Sequence, residues 1–177
     1  MHAAAFCPRC AAPLIDKVPD LDSRPRRVCP KCAFVVYVNP KIAAGTVPVR
    51  DGRVALIRRG VEPSRGLWSW PCGYLEIDET LEEGAVRETR EESGLVVRLD
   101  KILGPYSYPV ESAAGPTPTT GLVVVSWTTS AVEGELAAGD DAVDAAWFEF
   151  DKIPWAELAF DSSRRALQDV LRTISAS

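Results

Sequence analysis

Two groups of side chains in this chain have the types and spacing to do chemistry. The first is sulfur. Cys7-Pro-Arg-Cys10 and Cys29-Pro-Lys-Cys32 are two C-x2-C knuckles with 18 residues between them. Each knuckle lets two thiolates converge on one ion, and two knuckles fill the four positions of a closed tetrahedral zinc, leaving none for a reactive water. The second group is oxygen. Glu88, Glu91 and Glu92 lie within five residues of one another in a segment with eight acids between positions 76 and 92. Carboxylates held side by side repel unless a hard divalent cation neutralises them, and oxygen ligands with retained waters are what Mg2+ prefers. A solvated acidic helix is the alternative for such a run taken alone.

The rest of the composition narrows the chemistry. The 177 residues contain five cysteines but a single histidine, His2. Without a histidine in a structured segment, Ser-His-Asp and Cys-His nucleophile pairs and a His-Glu-x-x-His zinc site are all excluded. Proton and charge work falls to carboxylates, arginines, lysines or a metal. The net charge is −5, which argues against a chain that coats nucleic acid. Residues 1–32 nevertheless carry six Lys/Arg against three acids. Arg24-Pro-Arg-Arg27 is the basic loop of this part, read first as a solvated face. No run approaches the roughly 20 apolar residues that span a bilayer, and no basic-then-apolar leader opens the chain. The expectation is a cytoplasmic protein, in which the knuckles are reduced and metal-bound.

The elements that must position these groups follow from local pattern. Ala33 to Val38 reads as a strand ended by Asn39-Pro40. Ile42 to Val49 and Val54 to Arg58 read as a hairpin across Arg50-Asp51-Gly52, because Asp-Gly favours the tight hairpin turn. After a loop from Gly60 to Pro71 comes the one strongly helical segment. Thr80-Leu-Glu-Glu83 is a capping-box signature and Gly94 a C-terminal cap, which predicts a helix from Leu81 to Ser93. At about 100° per residue, Ala85, Val86, Thr89 and Ser93 share a small packing face. Glu88, Glu91 and Glu92 form a separate ridge, and Glu83 and Arg87 are spaced for an i,i+4 pair on the solvent side. Val96 to Leu103, Tyr106 to Val110, Leu122 to Thr128 and Ala145 to Phe150 read as strands, Gly115 to Thr120 as a mobile loop and Arg164 to Ile174 as a closing helix. Mixed strands and helices without regular βαβ alternation point to an α+β fold.

With these residues in place, the segment from Gly73 to Leu95 resembles the Nudix box, G-x5-E-x7-R-E-U-x-E-E-x-G-U, where U is a bulky aliphatic. Gly73, Glu79, Arg87, Glu88, Glu91, Glu92, Gly94 and Leu95 each fall at the required place, and only Thr89 departs, at the first U. Threonine is close to valine in shape, and its hydroxyl can bond the Ala85 carbonyl one turn back. Gly66-Leu-Trp68-Ser-Trp-Pro71, Trp147-Phe148 and Leu158-Ala-Phe160 extend the resemblance over residues 40 to 175. The resemblance implies a Nudix α/β/α sandwich with a mixed sheet over residues 39–177, preceded by a small zinc ribbon over 1–38.

For chemistry, the resemblance implies an Mg2+- or Mn2+-dependent hydrolase that cleaves the pyrophosphate of a nucleoside diphosphate linked to another moiety. The cation would be held by Glu88, Glu91, Glu92 and the backbone carbonyl of Cys72, with Arg87 orienting the ridge through Glu79 or Glu91. Asp140, Asp141 and Asp144 are candidates for a further loop acid. Cys7, Cys10, Cys29 and Cys32 would hold the structural zinc. ADP-ribose, cleaved to AMP and ribose 5-phosphate, is the expected substrate, with FAD or NAD(H) as the alternative. The Ser-Gln-Pro-Trp-Pro-Phe-Pro type motif of NADH pyrophosphatases has no counterpart between Ile102 and Val110, and Pro109 stands where ADP-ribose hydrolases tend to carry proline. Trp68, Trp70, Tyr106 and Tyr108 are candidates to stack an adenine, and Arg58 or Arg65 to meet phosphate. A reading of another class is a non-catalytic nucleotide sensor whose basic ribbon touches nucleic acid. Homodimers are common among relatives.

Overall fold

In the computed structural model, the backbone is described for residues 4–112 and 115–175, and side chains for 4–107 and 121–174. The chain forms two compact units, one of residues 1–40 with 109–121, the other of 41–108 with 122–177.

In the first unit, β1 (Ile15–Lys17), β2 (Arg26–Val28) and β3 (Val35–Val36) form an antiparallel sheet. The expected strand Ala33 to Val38 shortens to two residues, because Ala33 is drawn into a tight turn at φ 58°. That turn is one of a matched pair. Ala11 has φ 57°, and in each knuckle the alanine N–H donates to the carbonyl of the first cysteine, at 2.9 Å for Ala11 to Cys7 and 3.0 Å for Ala33 to Cys29. Cys7 and Cys29 are buried with Leu14 in a small core that Phe34 and Val36 complete.

The second unit is a sandwich. β4 (Lys41–Val47), β5 (Val49–Arg50), β6 (Arg53–Arg59), β7 (Trp68–Ser69) and β8 (Cys72–Tyr74) precede helix α1 (Leu81–Ser93). β9 (Val96–Ser112), β10 (Gly115–Glu133), β11 (Ala142–Glu149) and helix α2 (Asp161–Ser175) follow, with two short 3-10 turns before α2. One sheet has the order β8-β4-β10-β9 and the other β11-β6-β5, with β7 beside β6. β4 runs parallel to β10 and antiparallel to β8, so the sheet is mixed. The turn joining β5 to β6 places Asp51 at φ 52° and Gly52 at φ 69°, the two left-handed residues that the Asp-Gly reading required.

Two expectations are corrected here. Val96 to Leu103 and Tyr106 to Val110 are one strand, not two, and Gly115 to Thr120 is part of β10 rather than a loop. Among the described residues, β10 pairs with β4 from Leu122 to Thr128.

Layering follows from strand alternation. Ala43, Val47 and Val124 face a core shared with Val54, Leu56, Trp70, Leu167 and Val170, whereas Ala44 and Trp127 pack against Ala85 of α1. The α1 helix therefore covers one face of the β4 sheet. Its small packing face is what permits the approach: Ala85, Thr89 and Ser93 are fully buried. The Thr89 hydroxyl bonds the Ala85 carbonyl at 2.7 Å and the Thr46 hydroxyl of β4 at 2.7 Å. Threonine at this position thus gains a partner that an aliphatic residue would lack. Among the described residues, no helix is long and apolar enough to cross a membrane.

Candidate functional site

Helix α1 is fixed at both ends. Thr80 caps it by accepting from the Glu83 N–H at 3.2 Å, Glu83 returns the bond to the Thr80 N–H at 2.8 Å, and Gly94 closes it at φ 69°. Glu83 is therefore spent in the capping box and makes no pair with Arg87, which corrects the i,i+4 expectation. Arg87 instead turns toward the ridge. It grips Glu79 with two parallel bonds, Nε at 2.8 Å and Nη2 at 2.5 Å. It also donates through Nη1 to Glu88 at 2.7 Å and Glu91 at 2.9 Å, and through Nη2 to the Tyr74 carbonyl at 3.2 Å. All five guanidinium hydrogens are engaged, a geometry that lysine cannot reproduce. Hydrogen bonding to Arg87 holds the Glu79 carboxyl near 2, and its carboxylate partners, Glu79 first, raise Arg87 itself far above the ordinary guanidinium range.

β8 brings backbone into the same place. Gly45 of β4 lets it approach, because a Cβ there would collide with the Pro71 carbonyl and Cys72. Gly73 faces α1, and a Cβ on it would fall inside the Glu88 carboxylate. The Cys72 N–H donates to Glu92 Oε2 at 2.7 Å. Glu92 is 5% exposed; burial drives its pKa up to about 8 against the opposing Cys72 bond, and Glu88 adds to the shift. Burial also raises Glu88, with Arg87 opposing it. Glu91 is half-exposed at the rim. The Cys72 thiol is pushed well above its usual range by burial and by Glu92 and Glu88, so it is a packed thiol and not a thiolate nucleophile. The arrangement is a closely packed set of carboxylates beside a strand backbone, with Arg87 as its one direct cationic partner among the described residues. Oxygen donors of this kind suit a hard divalent cation.

The remaining expected residues scatter. Trp68 and Tyr106 are each 8% exposed and belong to the core. Trp68 meets Phe148 edge-on at 5.0 Å, and the Tyr106 hydroxyl donates to Asp169 at 2.7 Å. Neither presents a face for adenine, and Trp70, at 2% exposed, does not either. Their burial in the core leaves no free ring face for a base. Tyr108 lies outside the described side chains. Arg58 is exposed, with Nε on the Gly66 carbonyl at 2.7 Å, and Arg65 is exposed in the loop.

Arg59 is the residue that sequence reasoning missed: its charge acts on both Glu92 and Cys72, and its guanidinium lies over Phe160 at 5.0 Å. Residues 54–57 of β6 are all buried, so no alternation was available to tell Arg58 from Arg59. Of the loop acids, Asp141 acts electrostatically on Glu92, and its carbonyl accepts the Gly60 N–H at 2.6 Å.

The four cysteine sulfurs of the first unit lie within 4.8 Å of one another. Three of their separations are 3.5, 3.6 and 3.6 Å, close to the roughly 3.8 Å edge of a tetrahedron with Zn–S bonds of about 2.3 Å. The Arg9 and Cys32 N–H groups point at Cys7 and Cys29 sulfur, each at 3.4 Å. The set fits zinc. A segment this short has too little core to hold itself together, so the ion would contribute folding energy directly. Cys29→Ser, or incubation with a strong chelator, is expected to release about one equivalent of zinc and to unfold the first unit, read by a zinc-sensitive dye alongside amide hydrogen exchange of residues 5–38. Unchanged protection after full metal removal would show that the thiols support the fold without it.

Comparison with known proteins agrees with this geometry. The NUDIX domain model matches residues 39–170 and the Nudix N-terminal zinc-ribbon model residues 5–38. A protein of Methanocaldococcus jannaschii named ADP-ribose pyrophosphatase is 34% identical over 139 residues, 78% of each chain. A Chromobacterium violaceum protein named NAD-capped RNA hydrolase NudC is 30% identical over 94% of this chain, which spans 58% of that protein's length. A crystal structure of a NUDIX hydrolase from Nitrosomonas europaea superposes with a TM-score of 0.78 at 29% identity, covering 93% of this chain and 89% of that one. The chain belongs to the Nudix family of pyrophosphohydrolases. Within it, this is a member that carries the Nudix N-terminal four-cysteine ribbon.

Proposed function

We propose that this chain hydrolyses the pyrophosphate of ADP-ribose to give AMP and ribose 5-phosphate, using a divalent cation, Mg2+ or Mn2+, held by Glu88, Glu91, Glu92 and the Cys72 carbonyl. The observation that carries the reading is the burial of Glu92, with Glu88 half-buried on the same ridge, against the β8 backbone. A buried carboxylate raised further by a neighbouring one is costly unless a cation or a proton neutralises it. A bound divalent cation supplies charge neutralisation of the diphosphate and orientation of water and leaving oxygen. The chain's own residues do the rest. Arg87 holds Glu88 and Glu91 in register with Glu79. One carboxylate of the ridge, or Asp141, accepts the proton of the attacking water. Arg59, whose charge acts on Glu92, joins the exposed Arg58 and Arg65 as a candidate to meet a phosphate oxygen.

The ADP-ribose assignment draws on the relative of that name, matched over 78% of both chains. A second reading, cleavage of an NAD-type pyrophosphate, draws on the NudC match over 94% of this chain, ribbon included. The proposed division is a ribbon over 1–38 and a catalytic domain over 39–177, in a reducing cytoplasm. ADP-ribose, NADH, FAD, diadenosine polyphosphates and 8-oxo-dGTP, assayed with Mg2+ and with Mn2+ for AMP or phosphate release, distinguish the readings. ADP-ribose is expected to have the highest kcat/KM. A higher value for NADH would replace it, and tight nucleotide binding without cleavage of any would leave the sensor reading.

A further inference from the structure

We infer that Gly139 is a positioning residue: its missing side chain seats residues 134–141 on the C-terminal end of α1 and so holds Asp141 beside the carboxylate ridge. The inference rests on the pyrophosphate hydrolysis proposed for that ridge. A helix leaves its last four carbonyls without an intrahelical partner, and carboxylates in its last turn meet the negative end of its dipole. Glu91 and Glu92 stand in the last turn of α1. The segment between β10 and β11 answers both problems. Its Ala137 N–H donates to the Ser93 carbonyl at 3.0 Å and its Gly139 N–H to the Glu92 carbonyl at 3.2 Å, while Gly94 takes the Arg90 carbonyl at 2.9 Å. Backbone N–H dipoles thus point at the end of the helix where the charge of the ridge collects.

The same segment is tied down at both ends. At its start, Arg50 Nη1 donates to the Gly134 carbonyl at 3.0 Å, and the Arg50 guanidinium lies over the Trp147 ring at 4.7 Å. At its finish, the Gly60 N–H donates to the Asp141 carbonyl at 2.6 Å. Two points along this path have no room for a side chain. A Cβ on Gly139 would collide with the Glu91 carbonyl, and one on Gly60 would stand 2.8 Å from the Asp141 carbonyl oxygen and 2.9 Å from Val143 Cγ1. Neither glycine has a positive φ, so the requirement is space and not backbone conformation. At Gly139 the obstacle is backbone, which has no flexible end to give way.

These ties meet where charge reaches the ridge from outside the helix. Asp141 accepts from Gly60, Arg59 precedes Gly60, and the charges of Asp141 and Arg59 both act on Glu92. Gly139 lies two residues before Asp141. An added methyl group there would lift the segment off α1 and carry Asp141 with it. Glu88, Glu91 and Glu92 would stay in place, because Arg87 and the Thr80–Glu83 capping box hold them without help from the segment. Gly139 therefore acts through Asp141 and not through the ridge itself.

Steady-state kinetics with ADP-ribose and Mg2+, together with amide hydrogen exchange, test this on the full-length protein. Gly139→Ala is expected to lower kcat at least tenfold with KM within about threefold of native, the scale of a weakened general base. Exchange of the Ala137 and Gly60 N–H groups should quicken at least tenfold, while amides 85–91 of α1 keep their protection. Asp141→Asn is expected to lose as much turnover, and adding Gly139→Ala to it should cost less than about threefold more, because both changes act through one carboxylate. Gly60→Ala meets the Asp141 carbonyl from the other side and enters the same cycle, so it carries the test if Gly139→Ala does not fold. Near-native turnover of Asp141→Asn or of the folded glycine variant overturns the inference, as do fully additive losses or unchanged exchange at Ala137 and Gly60. A native chain that cleaves none of the substrates overturns the proposed hydrolysis alone, and exchange at those two amides then decides the seating by itself.

Discussion

Glu92→Gln is expected to lower kcat by about 10²-fold or more, the scale seen when a key charge-stabilising group is lost from a site. The amide keeps the size of the side chain and can still accept from the Cys72 N–H, which Glu92 does at 2.7 Å. The fold should survive and only the charge disappears. In the absence of metal the Glu92→Gln variant should even be more stable than the native chain, because burial drives the Glu92 pKa up to about 8. An unfolded glutamate loses its proton near 4.3. Between these values the folded chain binds more protons than the unfolded chain, so the stability of the metal-free protein falls as pH rises from about 4.5 to 8. Below that window the penalty is absent.

A cation bound beside Glu92 removes the same penalty by taking the proton's place. Stabilisation by Mg2+, measured as the shift in Tm, is therefore expected to grow with pH across this window in the native chain. Glu92→Gln should lack most of that pH dependence. Steady-state kcat together with thermal melts at pH 5, 6, 7 and 8, with and without 10 mM Mg2+, checks both halves. Near-native turnover of Glu92→Gln would remove Glu92 from the site, and a pH-independent metal effect would place the cation elsewhere.

What the sequence made legible was whatever rests on local rules. The capping box at Thr80 and Glu83, the left-handed Gly94 and the paired cysteine knuckles are each set by residues close in the chain, and each forms as read. The NUDIX match over residues 39–170 includes this helix-borne pattern. Features that depend on register across the sheets were not legible. Arg58 and Arg59 are adjacent in β6, and nothing local in the sequence says that it is the charge of Arg59 that acts on Glu92. Trp68 and Tyr106 have the right chemistry to stack a base, yet residue type does not reveal which face of a strand meets the core, and both are buried. The Thr46–Thr89 bond joins residues 43 apart and has no local sign at all. The double role of Glu79 and Arg87 falls between these cases. Their eight-residue separation was visible, but the engagement of all five guanidinium hydrogens depends on where β8 places the Tyr74 carbonyl.

Gly73→Ala is expected to be as damaging as loss of a carboxylate, although it adds only one methyl group to a small residue. The reason is steric and not conformational. Gly73 lies in β8 opposite Ala44 of β4, it is absent from the positive-φ residues, and an alanine backbone would adopt its geometry freely. The new Cβ, however, would occupy the space of the Glu88 carboxylate. Either β8 retreats from α1, which Gly45 and its close contact with Cys72 resist, or Glu88 swings out and breaks its 2.7 Å bond to Arg87. The second is the cheaper response, since it moves one side chain and leaves the sheet intact. It would cost a ligand of the proposed cation site without costing the fold. Gly73→Ala should then melt within a few degrees of the native chain while its apparent Kd for Mn2+, measured by titration calorimetry, weakens at least tenfold and kcat falls by about 10². A change at Glu88 itself should add little to this loss, because both substitutions remove the same contact. Full additivity in the Gly73→Ala/Glu88→Gln pair would mean that the glycine serves β8 alone and that the ridge does not depend on its missing side chain.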